Sequence, residues 1–164
     1  MNDESSCEIY KKPQITESCV RILKYLSSSM PHIKWIFEPV GLSRSLVRDA
    51  EHANEIISAV NRSNVGLVLD SYNLYLKERK DNYSFRNIPS DKIFAIHMMN
   101  GKKVPADEKI IDQRYRTFCE DGDAIDLFKF LNALKEINYK GMISTEVFNP
   151  DYQKLLSRLS EIKN

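Results

Sequence analysis

Four short apolar runs each end on a side chain able to ligate a metal: Trp35-Ile36-Phe37-Glu38, Val65-Gly66-Leu67-Val68-Leu69-Asp70, Ile93-Phe94-Ala95-Ile96-His97 and Met142-Ile143-Ser144-Thr145-Glu146. Their terminal residues lie 32, 27 and 49 positions apart, close to multiples of the roughly 30 residues that a strand-helix-strand unit takes. One such residue per unit places all four at the same end of successive parallel strands. In barrels and open α/β sheets that carboxyl end is where active sites are built. The repeat therefore predicts both an architecture and the edge of it that does chemistry.

The segments between the runs agree with alternation. Residues 1 to 14 are polar and include Lys11-Lys12-Pro13, which predicts a flexible N-terminal arm with order starting near Thr16. Cys19, Leu23 and Leu26 recur at helical spacing up to a Ser27-Ser28-Ser29 stop, and Leu46, Ala50, Ala53, Ile57 and Val60 define a second amphipathic helix. Residues 71–90 hold Tyr72, Tyr75, Tyr83 and Phe85 without a clear period, so a loop with a short helix is expected there. The polar stretch 98–123 is far longer than the ~6 residues usual for βα loops and reads as cover for a substrate. Leu127, Leu131, Leu134 and Ile137 form the next helical stripe, and Gly141 opens the fourth strand. Asn149-Pro150-Asp151 reads as N-cap, first-turn proline and first-turn acid of a last helix running through Leu155, Leu156, Leu159 and Ile162. Such alternation implies a parallel sheet with right-handed crossovers. A full eight-unit barrel takes about 250 residues and rarely fewer than about 200. The 164 residues here predict an α/β fold that is a partial (β/α)8 TIM barrel, one domain over residues 15–164.

Composition narrows the function. The chain carries 24 basic and 23 acidic side chains, a net charge of +1, and so lacks the basic footprint of a nucleic-acid partner. The mixed run Lys77-Glu78-Arg79-Lys80 is a solvated face. Three cysteines, Cys7, Cys19 and Cys119, form no C-x-x-C pair, which points away from a disulfide framework or zinc knuckle and fits a reducing cytoplasm. No apolar stretch reaches the ~18 residues of a membrane span, and Met1-Asn2-Asp3-Glu4 is acidic where a signal peptide is basic. Neither export nor membrane insertion is expected.

Glu38, Asp70, His97 and Glu146 together offer hard oxygen donors and one nitrogen, a set suited to Mn²⁺, Mg²⁺, Co²⁺ or Zn²⁺. Three converging carboxylates also need a cation, because like charges in one pocket otherwise force protonation. A divalent ion there holds the carbonyl and hydroxyl oxygens of a sugar or polyol ketone and stabilises the enediolate formed on deprotonation of a neighbouring C–H. Glu38 and Glu146, on non-adjacent strands, approach from opposite sides, one removing the proton and the other returning it. His32 and His52 are expected at the surface, and Trp35 in the core or an interface. The tyrosines of residues 72–85 either stack on a sugar ring or pack a short helix.

The segments Phe37-Glu38-Pro39-Val40-Gly41, Asn64-Val65-Gly66-Leu67-Val68-Leu69-Asp70-Ser71, Asp123-Ala124-Ile125-Asp126-Leu127, Ala133-Leu134-Lys135-Glu136-Ile137 and Ser144-Thr145-Glu146-Val147-Phe148 resemble the sugar phosphate isomerase/epimerase family of the xylose-isomerase-like barrel superfamily, nearest to its 2-keto-myo-inositol (inosose) isomerases. The likeness covers roughly residues 15–155. It implies a divalent metal on Glu38, Asp70, His97 and Glu146, the two glutamates as acid and base, and Arg116 near the substrate. At the position where the family commonly has a histidine, three residues after the aspartate, this chain has Asn73, read either as a turn residue or as a substrate contact that hydrogen-bonds but cannot exchange protons near neutrality. The family's Pro-Gly-x-Gly turn is replaced by Cys119-Glu120-Asp121-Gly122-Asp123, and the alternative for Arg116 is a surface pair with Glu120 or Asp121.

The resemblance further implies the C-terminal half of the barrel, strands 5 to 8, with strands 1 to 4 absent. That predicts a homo-oligomer or a complementary half-barrel chain covering the open sheet. Three functional classes follow: a metal-dependent sugar or inosose isomerase or epimerase, probed by a small-molecule ketone; a non-catalytic remnant or half-barrel subunit that keeps the metal site; and an endonuclease acting at abasic DNA sites. Near-neutral charge and only three histidines argue against the last.

Overall fold

The alternation is present in the structure, a computed structural model that describes residues 11–81, 83–105, 108, 113–118, 123–152 and 154. Helix α1 (Lys12–Ser29) leads into strand β1 (Trp35–Phe37), and α2 (Ala50–Val60) into β2 (Val65–Asp70). Helix α3 (Ser71–Glu78) and two 3-10 turns, Ser84–Asn87 and Ser90–Lys92, lead into β3 (Ile93–His97). A small ribbon of β4 (Asn100–Gly101) and β5 (Arg116–Thr117) follows, then α4 (Leu127–Glu136) and β6 (Met142–Ser144). β1, β2, β3 and β6 form one parallel sheet in that spatial order.

Register fixes the chemistry. Asp70 pairs with His97, and His97 with Ser144. Asp70 and His97 thus close the two central strands side by side, while Glu38 stands one residue past β1 and Glu146 two past β6. Phe94 is the extra residue at the bulge where the register shifts between Leu67 and Val68. That bulge leaves Ile93 and Ile96 in the helix-side core, with Ala95 and His97 in register with Val68 and Asp70.

The core follows from the apolar spacing. Ala50, Ala53, Ile56, Ile57 and Val60 of α2 pack with Val65, Leu67 and Leu69 of β2, Ile96 of β3, Phe85, and Phe130, Ala133 and Leu134 of α4. All six residues of β2 are buried, as a central parallel strand requires. A second core of Tyr72, Tyr75, Leu76, Met99, Val104 and Ile125 is joined by Leu42, Tyr115 and Val147 from loop and ribbon segments.

Several local expectations change. The helix expected near Thr16 starts at Lys12, with Pro13 tolerated in its first turn; residues 1–10 of the expected arm lie outside those described. Leu46 precedes α2 and is 45% exposed, because Asp49 caps that helix through His52 N at 2.7 Å. In α4 the inward face is Phe130, Ala133 and Leu134, while Leu131 is exposed. The described residues within 98–123 include the β4–β5 ribbon rather than loop alone. Asn100 pins it with Nδ2 donating to Ile125 O (2.7 Å) and Oδ1 accepting from Ile125 N (3.0 Å). The last helix begins at Pro150, after Asn149 Oδ1 accepts from Asp151 N (3.0 Å); its apolar residues from Leu155 on lie outside the described set.

The expectation of a surface His52 is overturned. Its ring is buried between α1 and α2 at 6% exposure, with Nε2 2.9 Å from Thr16 Oγ1. α1 covers this side of α2, tied there also by Lys12 to Glu55 at 2.7 Å. Burial first, then the Lys12 ammonium, push its pKa below 6.5. The unfolded chain therefore takes up a proton below about pH 6.5 that the folded chain resists, and stability falls as pH drops through that value until the folded pKa is reached. His52→Asn is expected to flatten this part of the stability profile between pH 7 and 5.5, read as urea midpoints. An identical slope in both proteins would contradict a buried neutral His52.

Candidate metal centre

The site grows from the carboxyl ends of the four parallel strands. Asp70 is at once the last residue of β2 and the N-cap of α3, its Oδ1 accepting from Asn73 N at 2.7 Å. A carboxylate at a helix N-terminus is favoured by the amide dipoles there. Its other oxygen, Oδ2, accepts from Arg116 Nη1 at 2.7 Å, and both partners are buried, Asp70 completely. Arg116 Nη1 also lies 3.1 Å from Met99 Sδ and 3.4 Å from Glu146 O, and the guanidinium stacks 5.3 Å from the Tyr72 ring centroid.

Arg116 owes this position to the ribbon. Gly101 pairs with Arg116 and Asn100 with Thr117. A side chain at Gly101 would run into the Tyr72 ring, so glycine permits the approach. Buried Asn149 donates from Nδ2 to Arg116 O (2.8 Å) and Arg114 O (3.1 Å), latching the ribbon to the start of the last helix. Ser71 Oγ donates to Met99 O (2.6 Å) and accepts from Met99 N (3.0 Å), tying α3 to the chain beyond β3.

Glu38, Asp70, His97 and Glu146 converge, and one potential ligand atom from each falls within 4.8 Å of all the others. Glu38 Oε1 accepts from Asn73 Nδ2 at 2.8 Å. Burial, then the Asp70 charge, raise the Glu38 pKa, while the Asn73 hydrogen bond opposes the shift. His97 Nδ1 is buried and 3.3 Å from Glu146 Oε2, without hydrogen-bond geometry to it or to any other described group. A buried ring nitrogen without a hydrogen bond, beside three carboxylates, is a donor set that fits a hard divalent cation.

All four expected ligands come together. Asn73 and Arg116, expected at the substrate, lie against the acids Glu38 and Asp70. The alternative partners of Arg116, Glu120 and Asp121, fall outside the described residues. The tyrosines resolve toward packing: Tyr72 and Tyr75 are buried and stacked at 5.8 Å, and Tyr83 lies tilted on Phe130 at 6.5 Å. His32 is exposed and Trp35 is partly buried against the core. Sequence reasoning missed the latch made by Asn149, where only the N-cap pattern was visible, and the Ser71 tie, which no local pattern announces.

This fold is that of a known family. Residues 10–162 match the xylose isomerase-like TIM barrel family, and the chain belongs to it. The inosose isomerase of Bacillus subtilis (strain 168) is 36% identical over 146 residues, covering 88% of this chain and 51% of that protein. The inosose isomerase of Halalkalibacterium halodurans is 33% identical over 146 residues, with 88% and 50% covered. The crystal structure of the IOLI protein with a bound zinc atom superposes with a TM-score of 0.80 at 36% identity, over 89% of this chain and 52% of that one. The chain spans about half the length of the curated relatives it matches. Among the described residues no helix is long and apolar enough to cross a membrane.

The Asp70–Arg116 pair restrains an acid cluster, so removing the cation leaves buried charge unpaired. Arg116→Met is expected to lower unfolding stability by about 3–5 kcal/mol, read by denaturant titration in chelator. Saturating Mn²⁺ should restore part of that loss, since a divalent cation supplies the missing positive charge. Equal loss with and without Mn²⁺ would contradict the shared electrostatics.

Proposed function

We propose that the chain carries the metal- and proton-handling half of a divalent-metal-dependent isomerase or epimerase acting on a sugar or polyol ketone, an inosose being the substrate its relatives point to. The convergence of Glu38, Asp70, His97 and Glu146 carries this reading; inosose isomerase relatives at 33–36% identity support it. Those four residues would hold the ion, with Mn²⁺, Mg²⁺, Co²⁺ or Zn²⁺ all compatible with three carboxylates and an imidazole. When bound, the ion supplies Lewis-acid polarisation of the ketone oxygen.

The chain's own residues supply the rest. Glu38 and Glu146 leave the two outer strands of the sheet, so their carboxylates reach a substrate from different sides. In this reading one takes the proton from the hydroxyl-bearing carbon next to the ketone to give an enediolate. In an isomerisation the hydroxyl proton passes to the former ketone oxygen and the other glutamate protonates the former ketone carbon. In an epimerisation the other glutamate returns the proton to the same carbon from the opposite side. Glu38 and Glu146 are both partly buried, the Glu146 side chain being 30% exposed. Arg116 and Asn73 belong to the substrate side of the same pocket, Arg116 holding Asp70 and the rim at Glu146, Asn73 holding Glu38.

The same reading includes a second set of strands. β1 and β6 each have one sheet neighbour among the described residues, and Ile36 and Met142 on them are 48% and 60% exposed. The matching relatives are about twice as long. A second copy or a complementary half-barrel segment would cover that face; an uncovered sheet would leave the alternative of a metal-binding subunit without turnover.

The test is solvent exchange. With the chain saturated in Mn²⁺ in D₂O, deuterium should enter 2-keto-myo-inositol at the carbon beside the ketone, followed by proton NMR. Glu38→Gln and Glu146→Gln should each slow that exchange by about 10²–10⁴-fold. Absence of exchange in the parent chain with a metal bound would favour the non-catalytic subunit.

A further inference from the structure

The geometry points to Asn73 as the positioning residue of Glu38, a bridge that fixes the spacing between two of the metal-site acids; this rests on the metal reading above. Glu38 is poorly held by its own strand. β1 has three residues, lies at the edge of the sheet, and ends before Glu38 is reached. The acid is half-buried and converges with the carboxylates of Asp70 and Glu146, like charges whose repulsion favours a swing toward water. A tether from the sheet interior is therefore required if the carboxylate is to stay in the cluster.

Asn73 supplies that tether at two levels. Its side-chain Nδ2 donates to Glu38 Oε1 at 2.8 Å, and its backbone N donates to Asp70 Oδ1 at 2.7 Å. One residue, itself buried at 4% exposure, thus touches both acids. The loop that follows Glu38 is pressed onto the same residue: a Cβ at Gly41 would collide with the carbonyl oxygen of Asn73. Arg48 closes the loop from the other side, its Nη2 donating to Gly41 O at 3.0 Å, and Val40 N donates to Val47 O at 3.0 Å. The Glu38 segment is therefore locked to the first turn of α3 by backbone packing and to Asn73 by one charge-assisted hydrogen bond.

An amide suits this role. It donates to a carboxylate without adding charge and cannot take the proton that Glu38 is proposed to move. With Oε1 held, the orientation of the second oxygen is set, so Asn73 acts on the ion through Glu38 and not directly. The general expectation for a residue that orients a metal ligand is a 10- to 100-fold loss of affinity, roughly, when it is removed.

A double-mutant cycle on the full chain separates this from a packing role. Co²⁺ affinity and the visible Co²⁺ absorption band would be measured in the parent, Asn73→Leu, Glu38→Gln and the double variant, with Asn73→Ala as a second truncation should the leucine variant fail to fold. The expected result is an affinity loss of about 10- to 100-fold for Asn73→Leu in the parent and less than about twofold in the Glu38→Gln background, since coupled residues are non-additive. The absorption band should shift in the same direction in both single variants. Equal losses in both backgrounds, or an unchanged band in Asn73→Leu, would overturn the positioning role while leaving the metal reading intact. A parent chain that does not bind Co²⁺ would overturn both.

Discussion

Asp70 is the residue on which the rest of the site depends, because four separate structural demands meet in one carboxylate. It ends the central strand β2, caps α3 through Asn73 N, pairs with Arg116, and contributes an oxygen to the cluster of four side chains that could hold a metal ion. Each demand reinforces the others. The helix N-terminus and the guanidinium both set positive charge against a carboxylate that is completely buried, where an unpaired charge would be costly. In return Asp70 orders the first turn of α3, and through Asn73 it sets where Glu38 can stand. Removing any one of these contacts would move more than one ligand.

Much of this architecture is legible from spacing alone. Apolar runs that end on Glu38, Asp70, His97 and Glu146 give the four strands of the parallel sheet, their sense and the end at which the four side chains converge, because the strand-helix-strand unit has a nearly fixed length and side chains at strand ends have little freedom to be elsewhere. Asp70 and His97, in register on adjacent strands, are the simplest case. Periodicity also finds α2, whose face of Ala50, Ala53, Ile57 and Val60 is buried as expected.

What spacing cannot show is contact between segments far apart in the chain. His52 looks like a surface residue because its position on α2 is judged against the sheet; α1 buries it from the opposite side, and only the packing of two helices decides that. Leu131 and Phe130 are neighbours, and a pattern of leucines selects the wrong one for the core because α4 lies with Phe130 against Phe85, ring centroids 5.3 Å apart. The ribbon of β4 and β5 is likewise hidden: two-residue strands carry no period, and the stretch is held by Asn100 to Ile125 and by Asn149 to Arg116, contacts spanning 25 and 33 positions. Arginine could be placed near the site by family likeness, but its commitment to Asp70 is a three-dimensional fact.

Charge arithmetic then links fold to chemistry. Three carboxylates bring three negative charges into a space a few ångströms across, and Arg116 returns one positive charge. Two remain uncompensated, which is what a divalent cation offers. The protein has arranged its neutral donors to match: the Asn73 amide on Glu38 and the backbone N–H on Asp70 stabilise ionised oxygens without adding charge, so they hold the ligands in place without competing with a cation electrostatically. A lysine at position 73 would bind Glu38 more strongly and leave less of the negative potential that attracts the ion. An uncharged donor beside the outer acid and a charged one beside the inner acid keep the most buried carboxylate paired while leaving the negative charge of Glu38 unneutralised.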